Sequence, residues 1–65
     1  MKNFILHTAQ FNNIMIIADP EKWDGIVTDT QDEALVFDSD YDSPDTKLKY
    51  YKAYTGLDLQ IKYIN

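Results

Sequence analysis

Aspartates occupy alternate positions in Asp38-Ser39-Asp40-Tyr41-Asp42, and three carboxylates so spaced can converge on one hard cation. The spacing is that of the first three ligands of an EF-hand calcium loop. The remainder of such a loop is missing. Ser43 stands where a sharp turn calls for glycine, Asp45 where an apolar residue belongs, and Lys49 where a bidentate glutamate should close the shell. Pro44 would also start a helix inside the loop. No metal is expected here. The same charges read better as a solvated acidic loop entering a helix, whose N-terminal N–H groups and dipole favour carboxylates.

A second chemistry for this stretch is recognition. Asp38, Asp40, Asp42 and Asp45, with Asp29, Asp32 and Glu33 as further acids, can present negative charge at spacings resembling a phosphate backbone. Tyr41, in the middle of the loop, suits an interface anchor. Tyr50, on the outward edge of the helix that follows, is the accessible member of Tyr50, Tyr51 and Tyr54. The candidate partner-binding set is therefore Asp38, Asp40, Tyr41, Asp42, Asp45 and Tyr50. Stacking of bases on the three tyrosines is a competing use, but such platforms sit in basic grooves, and only Lys47, Lys49 and Lys52 lie nearby.

Catalysis has no constellation to rest on, and an enzyme is not expected. His7 is the sole histidine and falls in a strand, where a packed or edge imidazole is the ordinary reading. Ser39 and Ser43 have no base beside them. The two glycines, Gly25 and Gly56, form no phosphate loop, so no cofactor is expected. Paired carboxylates for acid–base work need an enclosing pocket, which a chain of 65 residues rarely builds.

Composition narrows the partner. There are 11 acidic side chains against 6 lysines and no arginine, a net charge of −5. Arginine is the usual reader of phosphates and base edges, so direct nucleic-acid binding is not expected. An acidic chain is drawn instead to the basic grooves of proteins that hold nucleic acid. No apolar run approaches the roughly 18 residues of a membrane span, and the N-terminal segment is too short and weakly charged for a signal peptide. The expectation is a cytoplasmic protein folded as one domain over residues 1–65. Without cysteine it has no disulfide to compensate for a small core, so aromatic packing or a partner surface, a homodimer included, must do so.

The elements follow from pattern. Residues 3–8 and 13–18 read as a hairpin about the turn-forming Asn12-Asn13. The second strand is apolar on both faces, Ile14 and Ile16 against Met15 and Ile17. It must be central and covered twice, or meet another chain. Asp19 caps a single turn opened by Pro20, with Trp23 turned inward. Ile26-Val27-Thr28 is a short strand, 29–34 a hairpin loop or capped turn with Ala34 inward, and Leu35-Val36-Phe37 a strand of undecided register. Ser43 caps a helix over residues 44–55 that Gly56 stops. Its inward arc is Leu48, Tyr51, Tyr54 and Thr55, and Asp45 pairs with Lys49. Residues 57–64 alternate as a strand with Leu57, Leu59, Ile61 and Tyr63 inward. The fold class is α+β: a small, mostly antiparallel sheet of four to five short strands, order β-β-β-β-α-β, with the helix packed on one face.

Functionally the pattern points to a small acidic binding protein. Its most concrete form is a phage or mobile-element inhibitor of a nucleic-acid-handling or host-defence protein, acting by negative-charge mimicry. The alternative is an oligomeric binder that sequesters a small nucleotide or cation.

Overall fold

A computed structural model describes residues 2–10 and 13–64. Its elements are β1 (Asn3–Gln10), β2 (Asn13–Ile17), β3 (Val27–Thr28), a 3-10 turn (Gln31–Glu33), β4 (Phe37–Asp38), α1 (Pro44–Thr55) and β5 (Gln60–Tyr63). The strands form one antiparallel sheet, and the element order is the one the sequence pattern predicts.

β1 is the organising strand. Phe4 lies opposite both Phe37 and Tyr63, and His7 opposite both Ile16 and Gln60. Two partners require two edges, so β5 occupies one edge while β4 and β2 share the other, β4 at the start and β2 at the end. β2 leaves β1 after the His7–Ile16 pair and turns toward residues 33–35. There the Leu35 N–H donates to the Ile17 carbonyl at 2.8 Å and the Asp19 N–H to the Glu33 carbonyl at 2.9 Å. The segment 33–38 thus wedges between two diverging strands, and the sheet curls around it. β3 closes the far edge of β2.

Alternation along β1 sends its side chains to two different cores. On the helix side Phe4, Leu6, Ile17, Phe37 and Leu59 pack together, with Leu35, Leu48, Tyr51, Leu57 and Ile61 partly buried against them. Phe4 stacks on Phe37 at 5.1 Å between ring centroids. On the other side Ile5, Ile16 and Ala34 form a smaller cluster with Ile64. Leu35 and Phe37 therefore share the helix side and Ala34 the reverse, which decides the register that three residues left open.

The helix has the expected bounds because its signals are local. The Ser43 hydroxyl accepts from the Thr46 N–H at 3.4 Å, Pro44 opens the first turn, and Gly56 stops it at φ 72°, a left-handed conformation that disfavours any Cβ. No helix side chain is fully buried. Asp19 caps its turn as expected, its carboxylate accepting from the Glu21 N–H at 2.9 Å.

Five side chains sit differently from the sequence reading. Tyr54 is 60% exposed: a helical wheel gives its direction but not how far the sheet extends beneath. Tyr63 is half exposed, its ring edge against Phe4 and Lys2 above it. Trp23 is 44% exposed, its indole lying over the backbone of Gly25 rather than in the core. Asp45 and Lys49 form no ion pair. Among the described residues the pairs are Lys47–Asp42 and Lys52–Asp58, each at 3.7 Å. The strand expected over 57–64 pairs only from Gln60, while Leu57 and Leu59 pack on the core without ladder partners.

Candidate acidic surface and its grooves

The acidic loop is built by its own backbone. Asp38 ends β4 opposite Asn3, and its carboxylate accepts from the Asp40 N–H at 2.9 Å. Its carbonyl accepts from the N–H groups of Tyr41, at 3.0 Å, and Asp42, at 2.9 Å. The chain therefore folds into a tight turn that leads to the Ser43 cap. This geometry spends the Asp38 side chain on the turn and places Asp42 against Lys47. Among the described residues no three His, Cys, Asp or Glu side chains are gathered as a metal would require.

What the turn leaves outward is distinct. Tyr41 is 85% exposed at the tip, and Asp40 and Asp45 are exposed on either side. Tyr50 is exposed on α1, stacked on Tyr54 at 6.1 Å between centroids and edge-on to Tyr51 at 5.0 Å. Burial, and the nearby Tyr50 and Tyr54 hydroxyls, push the Tyr51 phenol above its ordinary range. Of the six candidate residues, Asp38 and Asp42 thus have structural partners, whereas Asp40, Tyr41, Asp45 and Tyr50 face solvent unpaired by any charge. Asp29 and Glu33 are not part of this surface. Asp29 borders a groove with Ala9 and Ile14 toward the far end of β1, and Glu33 accepts from the Thr28 hydroxyl at 2.9 Å.

Two concavities were not legible in the sequence, because each is assembled from distant segments. The first, of about 450 Å³, lies between the Asp19–Ile26 loop and the C-terminal half of α1. Ile17, Ala18 and Leu35 line it with Tyr51 and Tyr54, and the acidic residues Asp19, Glu21 and Asp24 border it. The second, of about 320 Å³, lies on the reverse of the sheet, where Ile5, Ile14 and Ile16 meet His7, Lys62, Asp29 and Gln31. Burial, and secondarily the charge of Lys62, hold the His7 imidazole below its ordinary range.

No family model, curated protein or solved structure matches the chain. No helix among the described residues is long and apolar enough to cross a membrane.

Proposed function

We propose that this is a small acidic binding protein of the cytoplasm that acts without catalysis, inhibiting a nucleic-acid-handling or host-defence protein of the kind that phages and mobile elements must evade. Its loop over residues 38–45 enters the partner's basic groove in place of a phosphate backbone. The observation that carries this reading is Tyr41, 85% exposed between acids and held out by a turn in which Asp38 accepts from the N–H groups of Asp40, Tyr41 and Asp42. A tyrosine so placed contributes nothing to the core, and large aromatic side chains flanked by charge are typical interface anchors. Net charge supplies steering, which raises association rates and weakens steeply with salt.

The test is affinity capture from cell extract with the natural chain and with Asp40→Asn, Tyr41→Ala and Asp45→Asn combined, substitutions that leave the Asp38 turn and the Ser43 cap intact. A nucleic-acid-binding protein retained by the natural chain, released by salt and by duplex DNA, and lost with the triple variant is the expected outcome. Capture that survives the triple variant unchanged rules the loop out.

A further inference from the structure

We infer that the groove between the Asp19–Ile26 loop and α1 is a receptor for an arginine side chain of a protein partner. Its lining joins three features that a guanidinium requires together: apolar walls for the methylene stem, aromatic rings for the cation's flat face, and separate carboxylates for its forked N–H donors. Ile17, Ala18 and Leu35 supply the walls, Tyr51 and Tyr54 the rings, and Asp19, Glu21 and Asp24 the carboxylates. No lysine lines the groove, and the nearby helix cation Lys52 is paired with Asp58 at 3.7 Å. Asp19 spends one oxygen on the Glu21 N–H, while Glu21 and Asp24 form no ion pair among the described residues. The volume, about 450 Å³, lies within the range of roughly 300–1,000 Å³ typical of binding sites.

The occupant is not a second copy of this chain, which contains no arginine. Lysine fits less well, because its ammonium is a compact, strongly hydrated point charge without the planar fork that lets a guanidinium lie flat on a ring while bonding carboxylates. The inference leans on the proposed function only for the basic character of the whole partner. The groove is separate from the 38–45 loop and can be tested without that partner.

The probes are N-acetyl-arginine-amide, its lysine counterpart and its neutral isostere N-acetyl-citrulline-amide, titrated into the full chain and followed by NMR. Trp23, the sole tryptophan, lies over Gly25 of the groove wall and gives an optical readout. Saturable shifts of Tyr51, Tyr54 and Ala18 with the arginine probe are expected, with citrulline binding about tenfold weaker or less and lysine between them. Glu21→Gln with Asp24→Asn should reduce arginine binding to the level of citrulline. Both residues are exposed, so an unchanged melting temperature will show that the variant is folded. Equal binding of arginine and citrulline, no saturable shift in the groove, or full binding by the double variant would overturn the site. Shifts confined to residues 38–45 would overturn it too, while leaving the acidic-loop reading standing.

Discussion

The two faces of the sheet are built from alternate residues of the same strand, yet they do opposite jobs. Phe4 and Leu6 point to a face closed by α1, β4 and the entry to β5, where large side chains and stacked rings fill the space. Ile5 and His7 point to a face covered by little more than the 29–34 segment and Ile64. There the cluster is small, Ile14 is 56% exposed, and a titratable ring sits in the groove. Apolar area removed from water sets most of the stability, so the first face should carry the fold. The second can hold polar and ionisable groups because less depends on it.

The sharpest way to break this contrast is Leu59→Asp, which puts an unpaired carboxylate among the helix-side residues. A loss of about 4 kcal/mol or more is expected, of the order of the whole stability of so small a chain. The cooperative melt should vanish. A folded variant would mean that the helix side is not the principal core. Next comes a matched truncation on the two faces. Phe4→Ala should cost about 3–5 kcal/mol by denaturant titration, whereas Ile14→Ala on the exposed reverse should change stability by no more than about 0.5 kcal/mol. Comparable losses would show that the reverse face is covered in solution, by a second copy for instance, and sedimentation would then find a dimer.

The smallest effect concerns pH. Because the folded state holds His7 below its ordinary pKa, the unfolded chain binds more protons as pH falls past about 6.5. The melting temperature should therefore drop between about pH 7 and 5.5. His7→Gln should flatten that part of the profile and leave the value at pH 7.5 nearly unchanged. A drop of equal size in the variant would assign the dependence to other groups.

How much of this was legible in the sequence depends on the range of the signals. Ser43, Pro44 and Gly56 act within a turn of where they stand, so the helix was read to the residue. The hairpin follows from its apolar runs, although β1 extends to Gln10, and Asn12 of the expected turn lies outside the described residues. Nothing local says that Phe4 is paired with both Phe37 and Tyr63, and so the centrality of β1 was hidden. Tyr54, Trp23 and Tyr63 were misjudged for a related reason: their inward direction was inferred without knowing where the opposing surface stops. Likewise the exposure of Tyr41 and Tyr50 was legible from charge and helical phase. The groove beside α1 was not, since it exists only once the loop over residues 19–26 and α1 are brought together.

The wedge of residues 33–38 between β1 and β2 has a kinetic consequence. The β1–β2 hairpin can close from its own turn only as far as His7 and Ile16. The first half of β1 must wait for strands from the middle and the far end of the chain. Such distant pairings must be reached before any contact rewards the loop closure, which slows folding. While it waits, the segment Phe4–Leu6 has both edges open, a template for joining another unfinished chain. Refolding at rising protein concentration should therefore lose yield through this segment, even though in the finished fold it is among the most deeply enclosed parts of the molecule.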